Sequence, residues 1–318
     1  FYSGLAVMDE GMICSEKVLG DMDRLTEAVR GRSMPGHVGI IHSRSNSGGD
    51  REWAHPFISN DGRLAYVANG SNGIFAKWPG FRADEVAQEL ERRGVRYASR
   101  AEALPQYPRL SDGSGVHCSE VMCHLIACHI EDGLEPEDAM RRAFCDFPAE
   151  IVGLALHTTV PDAILAARFN QPMMLGRAED GVYLATTALA FPEDVELYSL
   201  DLLPAGCSAT IRADGWTIHG FCSPIPVATL DASLYRSAQT GILRYINASP
   251  EPVSIGKCCE LTRRLWPQGM LGQSAVLCYE ALRPLVRSGR VRVVHQTVPG
   301  APEGGGSVMS TAYLFAKV

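Results

Sequence analysis

Apolar residues recur along this chain in two different rhythms. Over residues 3–209 they come as short runs separated by turns. Residues 5–8, 38–42 and 64–68 are apolar runs of strand length. The second hands over to Ser43-Arg44 and the third to Asn69-Gly70, so each delivers polar groups at the end of a strand, a usual place for a site on a rigid support. Residues 83–93 fit a helix closed by Gly94. Residues 119–130 fit a helix capped by Ser119 with Gly133 beyond its end, and 136–144 a shorter third helix. The runs 151–156, 163–167 and 182–185 then predict strands of an antiparallel sheet. Strands set between helices imply a layered α/β or α+β domain.

The tail has a helical period. Residues 233–246 place Leu234, Ile242 and Ile246 on one side. Pro252 and Ser254 open a second helix over 255–266, and 273–286 form a third, with Pro284 near its last turns and Gly289 after it. Residues 291–294 and 310–315 alternate as strands around a flexible loop at 299–306. Three helices followed by a two-stranded ribbon resemble a winged-helix module. The boundary is expected within 223–231, giving one domain over 1–225 and a second over 231–318. No internal repeat is present.

Composition adds limits. The 318 residues are 46% apolar and 20% charged, enough to bury a sizeable core. No apolar run approaches the roughly 18 residues of a membrane span, so no membrane partner is expected. A net charge of −7 argues against a surface that sheathes nucleic acid. From Leu230 onward, however, ten basic residues face five acidic ones, which points to two modules with different surfaces. The ten cysteines include the vicinal pair Cys258-Cys259 but no CxxC. They are read as mostly buried free thiols in a reducing compartment, hence a cytoplasmic protein.

Several short segments carry chemistry. His42-Ser43-Arg44-Ser45-Asn46-Ser47-Gly48-Gly49 is followed by Ala54-His55-Pro56-Phe57. Asn69-Gly70 ends a strand, and Ser119-Glu120-Val121 opens a helix. Ala166 to Gly176 includes Arg168-Phe169-Asn170-Gln171-Pro172, and Tyr183 to Ala190 includes Thr186-Thr187-Ala188-Leu189. Ser3-Gly4-Leu5-Ala6-Val7 precedes them all. In this order and spacing, over about the first 205 residues, the segments resemble the glutamine-hydrolysing domain of class II glutamine amidotransferases. The resemblance implies an N-terminal-nucleophile (Ntn) hydrolase fold: a four-layer αββα sandwich of antiparallel sheets, here α+β with the winged-helix-like module appended.

The resemblance also implies roles. Arg44 would grip the glutamine α-carboxylate with its planar fork. The Asn69 side-chain amide and the Gly70 N–H would form the oxyanion hole. Ser47 stands where the family has a substrate-contacting Thr. Cys118 stands where it has the Asp that holds the α-ammonium; a neutral thiol does not replace that ion pair, and Asp112 substitutes only if its loop bends back. The family nucleophile is an N-terminal cysteine, some two dozen residues before the Ser-Ala-Gly strand. Phe1 has neither thiol nor hydroxyl, so the nucleophile is expected on an upstream segment. Phe1-Tyr2 replaces Asp-Ser, Ser45-Asn46 lacks the expected aromatic, and Ala68 replaces a His.

Other constellations are weaker. Glu120, His124 and Cys128 share one helix face at a spacing compatible with metal, but a helix packed on a sheet explains them, and no metal or cofactor is expected. His117-Cys118 has no third group to complete a nucleophilic set. The basic tail, with Arg283, Arg287, Arg290 and Arg292, suits packing or homo-oligomer formation better than nucleic acid. The expected function is hydrolysis of glutamine or a related small amide, passing ammonia to an acceptor-domain subunit. The alternative is a catalytically degenerate Ntn-fold binding or regulatory protein acting through its basic tail.

Overall fold

The computed structural model describes residues 2–32, 34–44, 49–102, 107–303 and 306–318, with side chains at 298–310 left aside. In chain order the elements are β1 (Tyr2–Asp9), β2 (Met12–Leu19), α1 (Met22–Val29), β3 (Val38–Arg44), β4 (Phe57–Ile58), β5 (Leu64–Ser71), α2 (Ala83–Arg92), α3 (Cys118–Glu131) and α4 (Pro136–Asp146). There follow β6 (Glu150–His157), β7 (Ile164–Arg168), β8 (Met174–Ala178), β9 (Gly181–Ala185), β10 (Ser199–Leu202), β11 (Cys207–Arg212) and β12 (Gly215–Gly220). The chain ends in α5 (Ala232–Ala248), α6 (Ile255–Thr262), α7 (Ser274–Arg287), β13 (Val291–Glu303) and β14 (Gly306–Lys317). The class is α+β.

Packing divides the chain into two units that interleave in sequence. One comprises Phe1–Ala167, Cys207–Cys222 and Pro299–Ser310; the other comprises Arg168–Gly206, Ser223–Val298 and Thr311–Val318. In the first unit, β2-β1-β3 form an antiparallel sheet in which Tyr2 stands opposite Arg44. A second sheet runs β12-β11-β7-β6-β5-β4. Helix α1 lies against β1 and β2, β1 and β3 face β5 and β6, and α3 lies on β4 and β5. This explains why Leu64-Ala65-Tyr66-Val67-Ala68 shows no polar alternation: β5 is covered on both faces, and all five residues are buried. Helix α3 is buried nearly all round from Glu120 to Ile126 for the same reason.

Three local expectations need correction. The N-cap of α3 is His117, not Ser119; its ring Nδ1 accepts from the Ser119 N–H at 3.1 Å. An imidazole in the cap position competes with the hydroxyl because its lone pair reaches the same orphan donor. The predicted loop at 299–306 is mostly strand, since β13 runs to Glu303 and β14 begins at Gly306. Backbone pairing across the ribbon continues through a segment whose Pro and Gly content disguises it. The second tail helix also stops at Thr262 and ends in a 3₁₀ turn over Arg263–Leu265.

In the second unit β10-β8-β9 form their own three-stranded sheet. Helices α5, α6 and α7 share one apolar core, including Ile242, Ile246, Leu282 and Leu285, and Val253 exchanges two backbone hydrogen bonds with Phe315 of β14. Arg168, fully buried, staples this unit. Its guanidinium donates to the carbonyls of Gln171, Asn170 and Leu203 and to the Gln273 side-chain oxygen, while Asn170 Nδ2 donates to the Gly272 carbonyl at 2.9 Å. Among the described residues no helix is long and apolar enough to cross a membrane.

Removing the guanidinium would strand those buried carbonyls. Arg168→Met is expected to lower stability by about 3–5 kcal/mol, read as a fall in the urea midpoint of the unfolding transition. A midpoint within error of the parent would show that the staple contributes little.

Candidate functional site

The site is built where β3 and β5 end. Arg44, the last residue of β3, is buried, with its guanidinium carbon 4.6 Å from the ring centroid of Tyr2 and 5.8 Å from that of Trp53. Its Nη1 donates to the Trp53 carbonyl at 3.5 Å and its Nη2 to the Tyr107 hydroxyl at 3.4 Å, both long contacts. Tyr2 comes beneath the guanidinium because it stands opposite Arg44 in the β1–β3 register, and its hydroxyl donates to the Gly49 carbonyl at 3.0 Å. A tyrosine where the resemblance has a small polar residue thus gives the cation a π face.

Around this cation lies a shell of aromatic and imidazole rings. Trp53 and Tyr107 meet edge to face at 4.6 Å, His42 and His55 lie 4.2 Å apart, and His117 sits 5.3 Å from His55 and stacks on Phe57 at 4.9 Å. The backbone of β1 presses on this shell: a Cβ at Gly4 would come within 2.1 Å of the His55 carbonyl oxygen, so only glycine fits. His42 lies by the Ala68 backbone of β5, one residue before Asn69.

Asn69 and Gly70 themselves are exposed at the end of β5. Gly70 has φ +130°, a backbone that side chains rarely adopt. Asn72, buried just beyond, donates from Nδ2 to the Cys118 sulfur at 3.5 Å. Cys118 follows His117 into α3. Its position is fixed by Glu120, whose carboxylate accepts from the Ala98 N–H at 2.7 Å, the Ser99 N–H at 2.9 Å and the Ser99 hydroxyl, while that hydroxyl accepts from the His117 N–H at 2.8 Å. Glu120 is therefore occupied as a structural clamp. Burial raises its pKa, but the contacts from His124, Ser99 and Ala98 outweigh that and hold it below the ordinary carboxylate value.

Comparison with known proteins follows the same residues. No family model matches the chain. The glutamine–fructose-6-phosphate aminotransferase (isomerizing) of Streptomyces coelicolor is 27% identical over 224 residues, covering 69% of this chain and 32% of that protein. The same enzyme of Acidithiobacillus ferridurans is 29% identical over 191 residues, covering 59% and 27%. Among solved structures, the B. subtilis glutamine phosphoribosylpyrophosphate amidotransferase complexed with ADP and GMP superposes with a TM-score of 0.56 at 16% identity, over 80% of this chain and 53% of that one. This chain is similar to the class II glutamine amidotransferases. It spans about a third of the length of the curated relatives it matches.

The residues that carry the amidotransferase likeness fall into distinct local settings. Arg44 and Cys118 both adjoin the His117–Trp53–Tyr107 ring cluster, and Asn69-Gly70 follows Ala68, whose backbone His42 lies by. Ser47 lies outside the described residues. Asp112 does not bend back: its carboxylate accepts from the Ser114 N–H and hydroxyl in its own turn and lies 3.6 Å from Arg100. His117 caps α3 and makes no pair with Cys118, whose thiol is pushed up to about 12 by burial, so this thiol is a poor nucleophile. Among the described residues no group of three His, Cys, Asp or Glu is placed to hold a metal. All ten cysteines are free, four of them buried. Tyr2, Trp53 and Tyr107 escaped the sequence reading, although Trp53 sits in the aromatic-rich Trp53-Ala54-His55-Pro56-Phe57 run that signals a packed shell.

The charge state of this shell is set by burial. Burial first, then the Arg44 charge, lowers His42 from 6.5 to about 4. Burial and neighbouring positive groups push His55 and His117 well below 6.5 as well. The three rings stay neutral at pH 7, and Arg44 is the cation they surround. The unfolded chain therefore takes up protons below pH 6.5 that the folded chain refuses, so stability falls as pH falls from 6.5 toward 4. The urea midpoint is expected to drop between pH 7 and pH 5, and His55→Phe to flatten that drop. An equal slope in the variant would show that this ring does not couple folding to protons.

Proposed function

We propose that this chain is the glutamine-hydrolysing part of an amidotransferase, releasing ammonia from the side-chain amide for an acceptor on a partner subunit or domain. The observation that carries the reading is the Arg44 guanidinium, buried in a shell of neutral rings at the end of β3, with Asn69-Gly70 standing at the end of β5. A fixed positive charge of low solvation suits a carboxylate, and a planar fork holds it in two parallel hydrogen bonds. In this reading Arg44 anchors the α-carboxylate, and the Asn69 amide with the Gly70 N–H receives the oxyanion as the amide carbonyl becomes tetrahedral. Ser47 contacts substrate. The attacking thiol comes, by family likeness, from an N-terminal cysteine outside this sequence, and not from Cys118.

The names of the sequence relatives support glutamine as the nitrogen source. The likeness to a solved amidotransferase supports a finer fold assignment, an Ntn-hydrolase αββα sandwich. The three helices and ribbon of the tail are assigned to a winged-helix-like module after it, with domains over 1–225 and 231–318. The ten free thiols support a reducing, cytoplasmic setting. Homo-oligomer contacts are assigned to the tail. One observation favours the second reading, a degenerate binding or regulatory protein: the neutral Cys118 gives the substrate ammonium no counter-charge.

Ammonia release from glutamine by the protein bearing its N-terminal cysteine, alone and with an acceptor subunit, separates the two. Release is expected; none under either condition would establish the degenerate reading. Arg44→Lys is expected to raise KM and lower kcat/KM about 100-fold through loss of the bidentate fork. Asn69→Ala is expected to lower kcat about 100- to 1,000-fold with little change in KM. Equal losses in KM for both variants would show that Asn69 binds the ground state instead.

A further inference from the structure

Three of the ten cysteines meet where α6 packs on α7, in a part of the second unit that the amidotransferase reading does not use. Cys258 and Cys259 are neighbours on α6, and Cys278 is on α7. Cys258 and Cys278 are fully buried in the core shared by the tail helices, whereas Cys259 is half-buried and packs against that core. Thr262, the last residue of α6, sets the distances. Its hydroxyl donates to the Cys258 and Cys259 carbonyls at 3.3 and 3.1 Å and stands 3.4 Å from the Cys278 sulfur. Cys259 is three residues before Thr262, so the two side chains share the helix face that meets α7. The Cys259 and Cys278 thiols lie by one another. Just beyond, Trp266 Nε1 donates to the Ser274 hydroxyl at 2.7 Å and ties the exit of α6 to the first turn of α7.

The two sulfurs are unlike. Contact with Cys278 lowers the Cys259 pKa despite burial, while contact with Cys259 first, and burial second, holds Cys278 well above its ordinary value. When the pair loses a proton, Cys259 therefore carries the charge, and Cys259 is also the sulfur with access to solvent. Cys258 does not fit that part, because burial pushes its thiol up to about 12. Nor does it fit as the partner of Cys259: adjacent residues of a helix point about 100° apart and do not face each other. An accessible thiol beside a buried second thiol is the arrangement in which a first oxidation is resolved within the molecule.

We infer that Cys259 and Cys278 form a reversible disulfide when the protein meets a peroxide, joining α6 to α7. The Cys259 thiolate attacks one peroxide oxygen; an S–O bond forms, the O–O bond breaks, and the leaving hydroxide takes up a proton as water. The Cys278 sulfur then attacks the Cys259 sulfur. The S–S bond forms as the S–O bond breaks, and the hydroxyl leaves with the Cys278 proton as a second water. Two thiols give two electrons to one peroxide. The inference is independent of glutamine hydrolysis.

Treatment of the full chain with hydrogen peroxide, alkylation of the remaining thiols and peptide mapping without reductant test it. One peptide pair joined through Cys259 and Cys278 is expected, lighter by two hydrogens and released by dithiothreitol, with loss of Cys259 alkylation. It is expected before any link between the exposed Cys145 and Cys222, although the Cys145 sulfur stands 3.9 Å from the Cys222 carbonyl. In Cys278→Ala the reaction is expected to stop at a Cys259 sulfenic acid that dimedone traps; in Cys259→Ser, Cys278 is expected to stay reduced. Circular dichroism checks the fold of both variants, and the map of the parent protein stands without them. The inference is overturned if peroxide leaves Cys259 as open to alkylation as before, if Cys259 is joined to Cys258 or to a second copy of the chain, or if Cys145 and Cys222 are linked while Cys259 stays reduced.

Discussion

A guanidinium taken out of water must be given acceptors or a polarisable surface, and it cannot escape by losing its proton. That constraint organises the first unit around Arg44. Its forks reach the Trp53 carbonyl at 3.5 Å and the Tyr107 hydroxyl at 3.4 Å, and the rings of Tyr2 and Trp53 add a π surface. Three imidazoles pack into the same region, and each additional cation there would be costly. Burial first, and the neighbouring positive groups second, keep them neutral at pH 7, so Arg44 supplies the positive charge at the end of β3. A buried guanidinium attracts an anion more strongly than a solvated arginine does, because the charge is fixed and weakly screened.

The same region shows how one clamp transmits position. Glu120 is a buried carboxylate, costly unless its oxygens are satisfied, and the Ala98-Ser99 segment satisfies them. The Ser99 hydroxyl then holds the His117 N–H, which fixes the start of α3, the ring that stacks on Phe57, and Cys118 beside it. Glu120, whose helical spacing with His124 and Cys128 was compatible with metal, is committed to holding the Ala98-Ser99 loop.

Much of this was legible in the sequence because it is local. Apolar runs of strand length at 38–42 and 64–68 are strands in the structure, extended to Arg44 and Ser71, and the helices near 83, 119, 136, 233, 255 and 273 are present within a few residues. What stayed hidden depends on distant partners. Tyr2 looks like a departure from a motif until the β1–β3 register sets it under Arg44. Arg168 sits in a recognisable motif, yet its task, bonding carbonyls at 170, 171 and 203 and the Gln273 side chain, spans about a hundred residues. The His117 cap was missed because a serine, the better capping residue by propensity, stands two positions later. β13 was cut short because Pro and Gly mark turns locally, whereas ladder pairing is decided by the opposite strand.

Cys118 bears most directly on what the site selects. An aspartate there would give a substrate ammonium a counter-charge; a thiol held near 12 by burial stays neutral and offers only a weak acceptor, already approached by Asn72 Nδ2. With Arg44 in place, the proposed site keeps its positive pole and lacks a negative one at this position. Recognition then rests on the carboxylate and on the oxyanion donors, and the α-amino group contributes less than it would beside an aspartate. A site of this polarity discriminates poorly between glutamine and an ω-amide carboxylate without the amino group. In the proposed reading, selectivity passes from charge pairing at two ends of the substrate to charge pairing at one end and geometry at the other.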